Sequence, residues 1–386
     1  MKDTYKADLV YLQDSPREME EVQQLLGANK LALDPGVELF VLCRHEGRLI
    51  ACAGLEHKTV KCVAIDERWR SESLGLGLAT EIRRLAAERR VFHLFLYSAP
   101  HTLEFFRGWG FYPLVEAPQL IVLMESSPVA IKAYCDGLRQ HRRPGKKIGG
   151  VVLNADPFTL GHQYLVERAS QECDWLHVFV GREDAAFLSY ADRYQLVLRG
   201  IEHIQNLTLH HGSDYTISRT TFPRYFLKDQ TMIDYGWSAI DVLLFREYIG
   251  PALGITHRYV GTEPFSRAMG TYNSEMKIWL QQAGPTAPIK VVEIPRAAVA
   301  GTAICASNVR RSLTARDLTL LEQFVPPTTS QFLERKFARS TRAQCARHWQ
   351  EVLTVETASH RLRRDDYGMR AGGVCSAPET AIHSQA

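Results

Sequence analysis

The chain has 386 residues, of which 45% are hydrophobic and 23% charged, a balance that excludes extended disorder or a fibrous fold and points to two cores of ordinary size. Its net charge of +3 is too small for a nucleic-acid binder or a polybasic membrane protein. The excess lies in the tail, since residues 336–386 carry eight Lys/Arg against five Asp/Glu.

Leu39–Cys43 and Leu49–Ala53 are short apolar runs joined by His45-Glu46-Gly47-Arg48, the pattern of a hairpin closed by a glycine-containing turn. Val60–Ile65 extends that sheet. Polar residues 66–73 lead into Gly75-Leu76-Gly77, after which Leu78, Ile82, Leu85 and Ala86 recur with helical spacing. Phe92–Tyr97 and Leu120–Met124 read as strands and Leu103–Arg107 as a short helix. The expected first domain, residues 1–145, is α/β with early antiparallel strands. Val129–Leu138 is amphipathic, and the following Arg142-Arg143-Pro144-Gly145-Lys146-Lys147 reads as a connector.

The rhythm then changes. Ile148–Leu153, Trp175–Val180, Leu207–His210, Arg258–Gly261 and Lys290–Ile294 read as strands, alternating with helical Gly161–Cys173, Tyr190–His203 and Ser274–Gln282. Such alternation predicts a doubly wound parallel sheet over residues 146–335, with ligands bound outside the carboxyl ends of its strands. Residues 336–386 lose all periodicity and are expected to form a basic, disordered tail.

The eight cysteines are scattered, without a CxxC pair, so they are expected to be buried reduced thiols. The amino terminus lacks the apolar run of a signal peptide, and no stretch approaches a membrane span. A soluble, cytoplasmic protein is the expectation.

The strand Val151-Val152-Leu153 runs into Asn154-Ala155-Asp156-Pro157-Phe158-Thr159-Leu160-Gly161-His162, and a helix begins at once. Thr159 falls near the N-cap, Gly161 where a phosphate can approach the backbone, and His162 in the first turn, all at the positive end of the helix dipole. An imidazole there can donate to a triphosphate as charge builds at the α-phosphorus. Taken alone, the motif fits a plain helix cap equally well. A second segment, Ile304-Cys305-Ala306-Ser307-Asn308-Val309-Arg310-Arg311-Ser312-Leu313, reads as a helix start with Ser307 at the cap and Arg310 in the first turn, a second anion site.

The two segments together resemble the HxGH nucleotidyltransferase superfamily, in which Thr can stand for the first His. NADPFTLGHQYLVE, SYADRYQLV, GSDYTISRTTFPRYFLKD, GTEPFSRAMGTYNSEM and ASNVRRSL resemble the signature blocks of the citrate lyase ligase family. Cys305 stands where that family's late motif is expected to have Ser. The resemblance implies an ATP-dependent ligase that forms acetyl-AMP from acetate and acetylates a CoA-derived thiol on the acyl carrier subunit of citrate lyase. On this reading His162, Thr159 and Arg310 are catalytic. Asn154, Asp156, Phe158, Gly161 and Ser307 hold ATP and its phosphates, and Mg²⁺ bridges phosphate oxygens without a dedicated protein metal site.

Lys228 is a candidate substrate contact, although a surface lysine explains it as well; Arg193 and Glu263 fall in family-like blocks without an assignable role. His210-His211 is not expected to bind metal, because neighbours on a strand face opposite ways. Arg70-Ser71-Glu72-Ser73-Leu74-Gly75-Leu76-Gly77 resembles the acetyl-CoA loop of the GNAT acetyltransferases, with Ser73 in place of the first Gly, so Arg70, Gly75 and Gly77 are expected to hold the CoA-type arm. Glu104–Phe111 resembles a late GNAT motif. The expected fold is therefore a GNAT-like mixed-sheet domain followed by a nucleotidyltransferase-like parallel sheet. Two rival functions share these parts: an adenylyltransferase making a dinucleotide or dephospho-CoA-type product, and an acetyltransferase whose second domain only senses nucleotide. No nucleic-acid or membrane partner is expected.

Overall fold

A computed structural model describes residues 6–11, 14–37, 39–70, 72–182, 187–217, 222–227, 229–263, 267–299, 302–315 and 321–337. Of the tail predicted over residues 336–386, Lys336 and Phe337 instead end a helix, because that helix runs on through Phe337, while residues 338–386 and Lys228 lie outside the described residues.

The first half is built from β1 (Lys6–Tyr11), α1 (Pro16–Ala28), β2 (Leu39–His45), β3 (Arg48–Glu56), β4 (Thr59–Ile65), α2 (Glu72–Glu88), β5 (Phe95–Ser98), α3 (Leu103–Gly108), β6 (Tyr112–Ala117) and β7 (Ile121–Glu125). Its mixed sheet runs β1-β2-β3-β4-β5-β7-β6. The predicted hairpin is present, with Glu46 and Gly47 at positive φ in the turn. β4 and β5 are parallel and pair only through Thr59↔Phe95 and Val60↔Leu96. The sheet is thus mixed, with the early antiparallel strands that were expected. Pro16 opens α1, where a missing N–H is harmless, and Val22, Leu25 and Leu26 seat the helix on one face.

The second half follows α4 (Ala130–Arg139) with β8 (Ile148–Leu153), α5 (Leu160–Glu172), β9 (Trp175–Val180), α6 (Tyr190–Gly200), β10 (Leu207–His210), α7 (Gln230–Leu244), α8 (Gly250–Leu253), β11 (His257–Gly261), α9 (Arg267–Gln281), β12 (Lys290–Ile294), the short pair β13 (Ala298–Val299) and β14 (Thr302–Ala303), α10 (Ala306–Ala315) and α11 (Pro327–Phe337). Phe245–Ile249 is a π-helical turn joining α7 to α8. The sheet is wholly parallel, in the order β10-β9-β8-β11-β12. Chain order therefore reverses between β8 and β11, the switch point at which doubly wound sheets open a crevice. Those strands pair only at Gly149↔His257 and Gly150↔Arg258 and then part toward their carboxyl ends.

The stretch read as amphipathic, Val129–Leu138, is the docked helix α4 ahead of the connector: Ile131, Cys135 and Leu138 are buried in a cluster that also takes in Tyr97 and Leu123 of the first sheet and Phe179 of the second. Polar ties reinforce that shared core. Tyr215 donates to the buried Glu125 carboxylate at 2.7 Å, Tyr225 donates to the Tyr97 carbonyl at 3.2 Å, and the Arg224 N–H donates to Asp34 at 3.1 Å. No helix among the described residues is long and apolar enough to cross a membrane. Cys43, Cys52, Cys62 and Cys135 are buried free thiols, while Cys173 and Cys305 are half-buried.

Candidate active site

The loop from β8 to α5 lies at the switch point and is fixed from beneath. Arg193 is fully buried. Its guanidinium donates to the carbonyls of Asn154 at 2.7 Å, Gly181 at 2.9 Å and Leu188 at 3.3 Å, tying the ends of β8 and β9 to the start of α6. A buried guanidinium is stable only when its donors are met, and here backbone oxygens meet them. This gives Arg193 a scaffolding role that its sequence position did not disclose.

Asp156 faces the same way. Its carboxylate accepts from the N–H groups of Phe187 at 2.7 Å and Leu188 at 2.8 Å. Burial raises its pKa above the ordinary carboxylate value, opposed by those two donors, Arg310 and Arg193. Asp156 thus organises the loop through its side chain and offers a ligand chiefly its backbone. Phe158 likewise presents no side chain to solvent: it is fully buried, packed on Gly200 and stacked on the His162 ring at 5.8 Å. Asn154 is exposed at the rim.

Thr159 caps α5 as the sequence predicted, but its contacts turn inward. It is 1% exposed, its hydroxyl accepts from the His162 N–H at 3.3 Å, and its own N–H donates to His162 Nδ1 at 3.1 Å. The Leu160 N–H is also engaged, by the Phe324 carbonyl at 2.9 Å. The helix start is therefore largely satisfied internally, rather than being a bare row of donors. What it presents is the imidazole. With Nδ1 accepting, the bonding pattern assigns the ring proton to Nε2. Burial, and secondarily the charge of Arg296, lower the His162 pKa to about 4, so the ring is a neutral donor at physiological pH.

The two predicted segments converge. An added Cβ on Gly161 would lie 2.9 Å from the Ile304 carbonyl oxygen, so this glycine lets the later segment cross the start of α5. Arg310 reaches over and donates to the Asp156 carbonyl at 2.6 Å. One detail differs from expectation: α10 begins at Ala306, so Cys305, not Ser307, precedes the helix, and Arg310 lies beyond the first turn. Ser307 is exposed in that first turn, with its hydroxyl 3.1 Å from the Cys305 sulfur.

Sequence reasoning missed Arg296. It follows β12, bonds the Thr262 carbonyl at 3.3 Å and pairs with Glu263, whose pKa burial raises. It brings a second guanidinium toward His162. Its only signal was its place just past the carboxyl end of a core strand. His210 and His211 point to opposite faces as expected: His210 lies 2.9 Å from His177 and stacks on Phe179, whereas His211 stacks on Tyr194. Among the described residues no group of three or more His, Cys, Asp or Glu could hold a metal.

In the first sheet, Arg70 is exposed and donates to Asn29 at 2.9 Å. Gly75 and Gly77 lie inside α2 rather than ahead of it. Gly75 makes room for the rings of Phe105 and Trp109, 3.3 and 3.5 Å from an added Cβ, so aromatic packing accounts for that glycine.

A family model described as the citrate lyase ligase C-terminal domain matches residues 148–333. The citrate (pro-3S)-lyase ligase of Escherichia coli (strain K12) is 45% identical over 332 residues, covering 86% of this chain and 94% of the relative. That of Klebsiella pneumoniae is 44% identical over 322 residues, covering 83% and 94%. A shorter similarity, 32% over 97 residues, links 23% of this chain to 59% of the phosphopantetheine adenylyltransferase of Streptococcus sanguinis (strain SK36).

Proposed function

This chain belongs to the citrate lyase ligase family, and we propose that it activates acetate with ATP and acetylates the thiol of the CoA-derived group on the acyl carrier subunit of citrate lyase. The observation that carries this reading is the meeting of His162, Arg310 and the Asp156 loop at the switch point. An acetate oxygen attacks the α-phosphorus, the bond to the bridging oxygen breaks, and pyrophosphate leaves as acetyl-AMP forms. The carrier sulfur then attacks the acyl carbon, AMP departs and the thiol proton passes to solvent.

The protein's part is positioning and charge. Nε2–H of His162 donates to a phosphate oxygen, Arg310 and Ser307 grip the departing pyrophosphate, and Thr159 acts through His162 as a positioning residue. Asn154, Asp156 and Gly161 supply backbone to the phosphates. Magnesium would arrive on the triphosphate as part of the substrate, consistent with a site that offers guanidinium and imidazole donors rather than a carboxylate cluster. The GNAT-like half, through about residue 145, is the natural holder of the carrier's arm, with Arg70 and the start of α2 nearest its pyrophosphate.

The adenylyltransferase alternative draws on the same phosphate site and on the short adenylyltransferase similarity. ATP–pyrophosphate exchange separates the two. Exchange that requires acetate supports the ligase, exchange that requires a phosphomonoester replaces it with the rival, and absence of exchange removes both.

A further inference from the structure

On the α7/α9 side of the parallel sheet, directly beneath the parting of β8 and β11, lies a cavity of about 20 Å³ whose lining includes Val152, Thr216, Asp241, Arg258, Tyr272 and Met276. That is room for a group a little larger than one water. Val152 stands two residues before Asn154 on β8, so the cavity is the floor of the crevice whose rim holds the phosphate loop. Arg258 enters from β11, where it is paired with Gly150.

Arg258 is 5% exposed, and its Nε and Nη1 have no hydrogen-bond partner. Its guanidinium lies 4.3 Å from the Phe245 ring centroid. Arginine stays charged in proteins, and a buried guanidinium with unmet donors is costly. The Tyr272 side chain engages another part of the guanidinium, and the neighbouring acid leaves these two nitrogens unmet. Asp241 accepts instead from the Tyr272 hydroxyl at 2.6 Å and the Ile217 N–H at 3.2 Å. Burial also raises the pKa of this carboxyl, opposed by Tyr272, Arg258 and the Ile217 N–H. The pocket therefore combines an underused buried cation with the apolar side chains of Val152 and Met276, the complement of a carboxylate bearing a very short alkyl group.

We infer that this cavity binds the small monocarboxylate that the enzyme activates, with Arg258 holding the carboxylate and Met276 limiting chain length. The inference rests on the ligase reading above and adds the seat of its acid substrate.

The test uses the full-length chain. Saturation transfer to the methyl protons of acetate is recorded without ATP, and acetate, propionate and butyrate are compared in pyrophosphate exchange. Arg258→Gln is expected to abolish the acetate signal and raise the acetate KM at least tenfold, with ATP binding unchanged. Met276→Ala is expected to shift the kcat/KM ratio at least tenfold from acetate toward butyrate; it keeps the question decidable if the arginine variant fails to fold. An unchanged acetate KM in Arg258→Gln, or an unchanged chain-length preference in Met276→Ala, overturns the inference. If wild-type exchange ignores acetate, the ligase reading falls by itself; an acetate methyl signal lost in Arg258→Gln then still upholds the pocket, and no signal in the wild type overturns it.

Discussion

Arg310 donates to the main-chain oxygen of Asp156 at 2.6 Å, across 154 residues of sequence, and so joins the late segment to the loop that opens α5. A guanidinium so placed fixes the loop and faces the polyanion at once. Arg310→Ala is expected to lower acetate-dependent exchange about 10²–10³-fold, the usual loss when one preorganised donor is removed. Arg310→Lys should recover only part of it, because an ammonium lacks the planar fork. Exchange within about twofold of wild type in Arg310→Ala would remove this residue from the mechanism.

Thr159 and His162 are expected to separate by their effects. His162→Ala should reduce turnover by orders of magnitude, further than Thr159→Ala does, and should cost about 1–3 kcal/mol of stability because the Thr159 N–H loses its acceptor. Thr159→Ala should also do both kinds of damage: about 1 kcal/mol of stability for the lost cap and a fall in kcat as the imidazole loses its orientation. Thr159→Ser, which keeps the hydroxyl, should restore both. Steady-state kinetics paired with thermal melts gives the answer, and a fully active Thr159→Ala denies the threonine its positioning role.

Gly161→Ala tests the crossing of the two segments. Its methyl would meet the Ile304 backbone oxygen at 2.9 Å, and backbone cannot swing aside as a side-chain tip can. A loss of roughly 1–3 kcal/mol is expected, with a raised ATP KM as α10 is pushed from α5. Urea unfolding and ATP titration measure the two effects; wild-type values for both would show that the crossing is looser than described.

The buried pair His177 and His210 makes stability depend on pH. Their pKa values are lowered to about 4 and about 3, chiefly by burial, against about 6.5 in an unfolded chain. The unfolded state therefore takes up protons first as pH falls. Their contribution is complete above about pH 6.5 and declines as pH falls, down to about 4 for His177 and about 3 for His210. A drop of roughly 2–4 kcal/mol is expected between pH 7.5 and 5, flattened in the His177→Gln/His210→Gln double variant. Denaturant midpoints across that range decide it, and an equal slope in the double variant would assign the effect elsewhere.

Much of this structure can be read from local pattern. The neighbouring strands β8 and β9 announce themselves as nearly continuous apolar runs, because both faces are covered, and the cap at Thr159 follows from residue type and position. What stayed hidden depends on tertiary partners. Arg258 sits in a strand run as an ordinary charged interruption, and only the assembled α7 and α9 reveal that its guanidinium is enclosed. Helix α7 escaped notice because Ile240, Val242, Leu243 and Leu244 are all buried, leaving no amphipathic stripe. The amphipathic pattern of α4 was legible, but what its apolar face packs on was not, because that face has meaning only against both sheets. Phe158 lies in a ligand-like loop yet serves the core, a distinction no spacing conveys.

The reach of Tyr225 into the first sheet bears on how the polypeptide is made. Residues 6–125 complete that sheet's strand order early in synthesis, but the rings and backbone that close over Asp34 and Tyr97 belong to residues 222–227. A nascent chain halted just after β7 would leave the tunnel with Asp34 and the Tyr97 carbonyl uncovered and the Glu125 carboxylate without Tyr215. The ribosome must therefore translate well into the second half before the first is sealed.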